Sequence, residues 1–347
     1  MVAILLLAIA LVLAALTTFW YVTKTGPFSQ IEPSTWALTA TQVTDLQAQD
    51  IDGTGVRICI VDSGVELSHP ELERVNLIAW RDYVGRPPHA TPYDDEGHGT
   101  AMTGIIFAQG ILRGVAPNAG LIAVKAIGST GTGTDGDIAS AIGFCLDPNG
   151  NGDLTDDGAN VISLSLGEQN QPFLGSQTVT AVNNALDRGV IVVAAAGNDG
   201  GPNDDGDVES PASQTRVIAV GAVERDGAVA SFSSIGGDYA PGLPPSLRVD
   251  PSKKPEVVAP GVQIAVALTG GRYGYVGGTS PAAAFVSGMV ALVLQRHPSY
   301  EWNAVRLNPF KTALMDSAAP EPGQQVPHDP HYGYGLVQVA AWDVALP

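Results

Sequence analysis

Four residues in this chain are of the types an acyl-transfer site requires, and each sits in a setting that suits the task. Ser280 follows Gly277-Gly278-Thr279 and precedes Pro281, where an alanine-rich apolar run begins. Proline is well tolerated in the first helical turn, so Ser280 is expected at the mouth of a buried helix. Unpaired N–H groups and the helix field favour a nucleophile there, and an N-cap serine is equally at home. His98 lies between Gly97 and Gly99, Asp62 closes the apolar run 56–61, and Asn198 closes the run 190–197. Alone, each would be read as a cap or turn residue. Together they supply a nucleophile (Ser280), a general base (His98), a carboxylate to orient the base (Asp62) and an amide donor for the oxyanion (Asn198).

These residues need elements that hold them in place. Val- and Ile-rich runs of strand length occur at 56–61, 121–127, 160–166, 190–195 and 217–223, with a shorter one at 256–258. Helical patterns at 99–108, 135–144 and 177–188 and after Ser280 alternate with them, and 36–50 reads as a leading helix. Alternation of this kind predicts an α/β fold with a mostly parallel sheet between helices. In such sheets function gathers at the carboxyl ends of the strands, where Asp62 and Asn198 fall.

The 347 residues include 17 basic and 35 acidic side chains, for a net charge of −18. That balance speaks against a nucleic-acid partner. Cys59 and Cys145 are too few for a disulfide scaffold, and a buried free thiol is the simpler expectation for Cys59, with a single bridge between the two as the alternative. Residues 2–22 form an uncharged apolar run ending in Phe19, Trp20 and Tyr21, long enough to span a bilayer. The organisation expected is a membrane anchor or signal segment over 1–23, a linker over 24–35 and one catalytic domain over 36–347. The anchored form would hold that domain outside the cytoplasm, and cleavage of the segment would secrete it.

Val61-Asp62-Ser63-Gly64, Gly97-His98-Gly99-Thr100 and Gly278-Thr279-Ser280, in that order, resemble the signatures of the subtilisin-like serine proteases. The likeness extends through Gly114-Val115-Ala116-Pro117, Ser165-Leu166-Gly167 and Val258-Ala259-Pro260-Gly261. It implies a subtilisin-like three-layer fold and a serine endopeptidase in which Asp62 orients, His98 shuttles the proton, Ser280 attacks and Asn198 meets the oxyanion. A silent subtilisin fold acting as a binding module at the cell surface is the alternative. The resemblance also implies that a peptide pairs with Gly131-Thr132-Gly133 on one side and Ser165-Leu166-Gly167 on the other. Ala195-Ala196-Gly197 would wall the first specificity pocket, with Glu209 near its base. There a carboxylate would favour a basic substrate residue, whereas a solvated loop acid would not.

A second constellation is Asp147, Asn149, Asn151 and Asp153, with Gly152 sixth in the series and Asp156 and Asp157 following. Alternate oxygen-bearing residues with glycine sixth match the first half of an EF-hand loop, although the twelfth residue is Gly158 rather than glutamate. Some archaeal subtilisins carry a similar calcium-binding insertion, so structural Ca2+ is expected here. Asp82 matches a second calcium position of the family. No catalytic metal is expected. Members of the family usually carry a propeptide, and residues 24–35 are too few to supply one. Either the enzyme folds unaided, with calcium's help, or a separate propeptide or inhibitor acts in trans.

Overall fold

The computed structural model describes residues 23–24, 31–85, 87–167, 176–202, 204–241 and 244–346. The apolar run 2–22 lies outside the described residues. Among those that are described, no helix is long and apolar enough to cross a membrane.

Seven strands form one parallel sheet: β1 (Arg57–Asp62), β2 (Asn76–Asp82), β3 (Gly120–Lys125), β4 (Val161–Leu164), β5 (Ile191–Ala195), β6 (Ile218–Val223) and β7 (Val257–Pro260). Their order across the sheet is β7-β6-β5-β4-β1-β3-β2, and every adjacent pair is parallel. Strands β3 to β7 are buried along their whole length, as Val/Ile runs covered on both faces must be. The order reverses after β1, which leaves a crevice beyond the carboxyl ends of the central strands.

Helices cover both faces. On one side α6 (Thr279–Arg296) crosses β1 and β4 to β7 and packs against α3 (His98–Phe107). On the other side lie α4 (Asp135–Leu146) and α5 (Gln177–Asp187). Every residue of α6 from Thr279 to Leu294 is buried, so the helix is anchored in the core all round.

Three expectations need correction. The leading helix over 36–50 is two short helices, α1 (Thr35–Ala40) and α2 (Val43–Gln47), separated where Gln42 takes a left-handed φ of 62°. Thr41 turns its hydroxyl back to the Ala37 carbonyl at 2.7 Å, the local bonding that disfavours a continuous helix. Strand β2 escaped the hydrophobic pattern because it is a sheet edge whose residues are mostly half-buried or exposed. Finally, Cys59 is not a free thiol. It is bonded to Cys145 at an S–S distance of 2.07 Å, tying β1 to the last turn of α4.

Candidate active site

Asp62 is the last residue of β1 and is 3% exposed. His98 opens α3 after Gly97, whose φ of 110° turns the chain into the helix. The two side chains meet through His98 Nδ1, at 2.7 Å from Asp62 Oδ1 and 2.9 Å from Oδ2. The imidazole therefore carries its proton on Nδ1, which leaves Nε2 with the lone pair a base needs. Burial pulls the His98 pKa down, but the charge and hydrogen bond of Asp62, with Glu96 and Asp94 behind them, outweigh it and raise the value above the ordinary one.

The Asp–His spacing is fixed by main chain. Strand end and helix start approach so closely that a Cβ on Gly99 would collide with the Gly64 carbonyl, and one on Gly64, at φ 111°, with that of Tyr93. Asp94 stitches the junction together. Its carboxylate accepts from Ser63 Oγ at 2.9 Å, Gly97 N at 2.8 Å, Thr100 N at 2.9 Å and Thr100 Oγ1 at 2.6 Å. Ser63 Oγ in turn accepts from Gly99 N at 2.8 Å. Burial alone would raise the Asp94 pKa, and these donors hold it below the usual value. Beneath them the buried Lys125, at the end of β3, donates to the Ser63 carbonyl at 2.5 Å and to Asp95 at 2.6 Å. Asp94, Ser63 and Lys125 went unassigned in the sequence reading. The pairing of Ser63 and Thr100 with an acid just ahead of the histidine was the available signal.

Ser280 is 5% exposed in the first turn of α6. It is not the N-cap: Gly278 takes that position and caps nothing with a side chain. The cap is supplied from outside, because Asn198 Oδ1 accepts from Thr279 N at 2.9 Å and from Thr279 Oγ1 at 3.1 Å. Asn198 lies just beyond β5, whose end Ala195 and the following Ala196 and Gly197 are buried. With its oxygen engaged at the foot of the serine helix, the amide keeps its NH2 end to offer as a donor. Ser280 Oγ donates to the Ser165 carbonyl at 3.2 Å, and Ser165 Oγ donates to the Ser280 carbonyl at 3.2 Å. Ser165-Leu166-Gly167 thus runs alongside the nucleophile.

The other expected positions fall as follows. Gly131-Thr132-Gly133 forms a tight loop after β3, with Gly128 N donating to the Thr132 carbonyl at 2.9 Å, rather than a strand. Glu209 is half-buried, its N–H donating to the Ala196 carbonyl at 2.7 Å. Asp82 ends β2 with both carboxylate oxygens engaged, accepting from Val84 N (2.9 Å), Gly85 N (2.8 Å), His89 N (2.9 Å) and Tyr93 OH (3.2 Å). Those donors, which hold its pKa down against burial, occupy the lone pairs a cation would use, so Asp82 does not fit a calcium ligand here.

The acidic loop closes on itself. Asp147 accepts from Asn151 N at 3.0 Å and Gly152 N at 2.8 Å, while Asn149 and Asn151 donate to Asp156 Oδ2 at 3.0 and 2.7 Å. Asp153 caps the short helical turn Leu154–Asp157. Among the described residues, no three His, Cys, Asp or Glu side chains gather closely enough to form a metal cage. One observation does suit a cation. Asp157 Oδ1 is buried without a partner, and burial together with the nearby Asp156 and Asp147 charges raises the Asp157 pKa.

Comparison with known proteins agrees with this architecture. The subtilase family model matches residues 53–335, and the chain belongs to that family. It is 35% identical over 301 residues to subtilisin NAT of Bacillus subtilis subsp. natto, covering 85% of this chain and 68% of the relative. It is 35% identical over 301 residues to a subtilisin of Bacillus pumilus, covering 85% and 94%, and 33% identical over 310 residues to subtilisin Savinase of Lederbergia lenta, covering 88% and 97%. The chain is therefore a serine endopeptidase by class.

Proposed function

We propose that the chain cleaves peptide bonds through an acyl-enzyme on Ser280, with Asp62, His98 and Asn198 in the roles their geometry supports. The observation that carries this reading is the double contact of Asp62 with His98 Nδ1, together with a serine held in the first turn of a buried helix whose start Asn198 serves. As Ser280 Oγ attacks the scissile carbonyl, His98 Nε2 takes its proton and later passes it to the leaving amine. Asp62 stays ionised and stabilises the imidazolium. The tetrahedral oxyanion is met by Asn198 Nδ2 and by an unpaired N–H at the start of α6. Water repeats the sequence in reverse to release the acid. The peptide would lie between the loop 131–133 and the segment 165–167, with its first specificity pocket against Ala195-Ala196-Gly197. Complete catalytic positions speak against a silent binding module. Labelling by an active-site fluorophosphonate should be strong in the wild type and lost in Ser280→Ala. Equal labelling of the two would sink the assignment.

The protease works outside the cytoplasm in this reading. The Cys59–Cys145 bond supports that placement, since such bonds persist in oxidising compartments. Residues 2–22 would direct export and either stay as an anchor or be removed. Intact mass of the protein recovered from native membranes decides between the two.

A calcium ion in the loop carrying Asp147, Asn149, Asn151, Asp153, Asp156 and Asp157 is the further part of this proposal. The orphaned Asp157 oxygen and the alternating oxygen-bearing residues around Gly152 support it. The ion would stabilise the loop and take no part in the chemistry. Chelation should lower the melting temperature of the wild type more than that of Asp157→Asn; an unchanged Tm for the wild type rules it out.

A further inference from the structure

Strand β3 ends on a lysine where its composition calls for another aliphatic residue. Lys125 is level with Asp62 in the parallel pairing of β1 and β3, and it is completely buried. Val124 and Ala126 on either side are buried apolar residues, the kind a doubly covered parallel strand ordinarily holds. Taking an ammonium out of water is costly unless its protons are bonded. Here Nζ donates to the Ser63 carbonyl at 2.5 Å, the Asp95 carboxylate at 2.6 Å and the Ile127 carbonyl at 2.9 Å. It also stands 4.9 Å from the centre of the Tyr93 ring.

The identity of those partners matters more than their number. Ser63 follows Asp62, and Asp95 lies three residues before His98. One ammonium therefore joins the segment that delivers the carboxylate to the segment that delivers the imidazole. At Ser63 the link passes straight into the site. Ser63 N donates to Asp62 Oδ1 at 2.7 Å, the same oxygen that lies 2.7 Å from His98 Nδ1. Ser63 Oγ is held between Asp94 and Gly99 N. With its carbonyl on Lys125, every polar group of Ser63 is engaged. On the other segment Asp95 is followed by Glu96, whose carboxylate accepts from His98 N at 2.7 Å.

We propose that Lys125 is a positioning residue for the proton shuttle: by holding Ser63 and Asp95 together, its ammonium keeps the Asp62 carboxylate turned onto His98 Nδ1. The proposal rests on the Ser280 assignment above and adds a residue that touches neither substrate nor the reacting atoms. An apolar side chain of similar length would fill the space and release both segments. A misplacement of about 1 Å in such a pair can cost about 10²-fold in rate.

The test compares Lys125→Met, Asp95→Asn and Lys254→Met in the intact oxidised protease. Lys254 is an equally buried lysine at the amino ends of the strands, so its replacement controls for the loss of a buried ammonium. Rates on a peptide amide are taken per site titrated with fluorophosphonate. Lys125→Met should lower kcat by about 10–100-fold and leave KM within about twofold of the wild type. Asp95→Asn keeps a hydrogen bond and loses its charge, so kcat should fall by only about 2–10-fold. Lys254→Met should leave kcat per site unchanged. The His98 Nδ1 proton gives a second readout, because its bond to Asp62 deshields its NMR resonance. That resonance should move upfield in Lys125→Met and stay in place in Lys254→Met.

An unchanged kcat with an unmoved resonance in Lys125→Met overturns the proposal. So does a Lys254→Met variant that loses as much kcat as Lys125→Met, since the effect is then one of stability alone. If Lys125→Met does not fold, Asp95→Asn decides by the same two readouts. A wild type whose Ser280 takes no label defeats the assignment beneath the proposal. A labelled wild type with an indifferent Lys125 defeats only the part given to the lysine.

Discussion

The two edges of the central sheet each bury a charged cluster, and the clusters are built to opposite ends. At the carboxyl edge Asp62, His98 and Asp94 form a chain in which the imidazole side chain keeps 16% of its surface exposed. At the amino edge Glu256 is fully buried between Lys254, at 3.0 Å, and Lys311, at 2.6 Å. Lys254 donates to the Val217 carbonyl at 2.6 Å, Lys311 to the Thr215 carbonyl at 2.8 Å, and Glu256 accepts from Ala219 N at 2.7 Å. That second cluster pins the starts of β6 and β7 and the helix Leu307–Ser317 into one unit. All three of its side chains are buried. The first cluster has a member partly open to solvent; the second is buried throughout. Buried ionic groups are thus not marks of chemistry in themselves. What separates the two is that one member of the first, His98, keeps part of its side chain exposed.

Breaking the clusters should show this division most clearly. Ser280→Ala should reduce kcat by on the order of 10⁶-fold, the magnitude known for subtilisin, while the melting temperature stays near that of the wild type. Glu256→Gln should do the reverse. It strands two buried ammonium groups, and denaturant unfolding should read a loss of about 3–5 kcal/mol, with turnover per folded, titrated site within twofold of the wild type. Turnover that falls as steeply as stability would mean that the two edges are coupled.

A sharper probe is Asn198→Asp. Aspartate keeps an acceptor for Thr279 N and removes the oxyanion donor, so kcat should fall by about 10²–10³-fold, the range known for subtilisin, with KM little changed. A loss of stability without loss of kcat would make Asn198 a cap only. Removing the staple behind Asp62 should act on folding alone: Cys145→Ser together with Cys59→Ser should cost about 2–5 kcal/mol, since the bond closes a loop spanning 86 residues.

The smallest effects are those of pH, and the clusters should respond with opposite signs. His98 has a raised pKa, so its contribution to stability is complete below the unfolded value near ~6.5 and fades as pH rises through the folded one. Activity needs the neutral ring and grows over the same interval. Lys254 is pushed down to about 7, burial being the leading cause, with the Lys311 charge adding to it. Its unfolded form binds more protons between that value and ~10.4, so its contribution to stability should increase with pH across that window. Lys254→Met leaves one lysine for one glutamate and should remove this alkaline gain, as a pH series of melting curves would record.

Much of this was legible in the chain itself. The Val/Ile runs before Asp62 and Asn198, the glycines around His98 and the apolar run after Ser280 pointed to the sheet, its carboxyl edge and the candidate site residues, because each feature is local. What stayed hidden depends on distant partners. Lys254 lies in Ser252-Lys253-Lys254-Pro255, a stretch with no apolar pattern, and it is completely buried. Only the arrival of Lys311 and Glu256 makes that tenable. The Cys59–Cys145 bond likewise needs the helix after β3 to fold back over β1. Ser280 looked like its own cap because the residue that serves the helix start, Asn198, lies 81 positions before Thr279 in the chain.

The contact between Gly64 and Gly99 has a consequence for how this enzyme tolerates change. Where two surfaces touch, the dimension between them is set by the parts themselves and not by what fastens them. A substitution elsewhere in the sheet or in α3 can shift packing and still leave aspartate and histidine at their working separation. A methyl group on Gly99 would be driven into the Gly64 carbonyl, and one on Gly64 into the Tyr93 carbonyl ahead of the histidine's helix. In a mutational scan scored by activity, these two positions should be as intolerant as the residues they space.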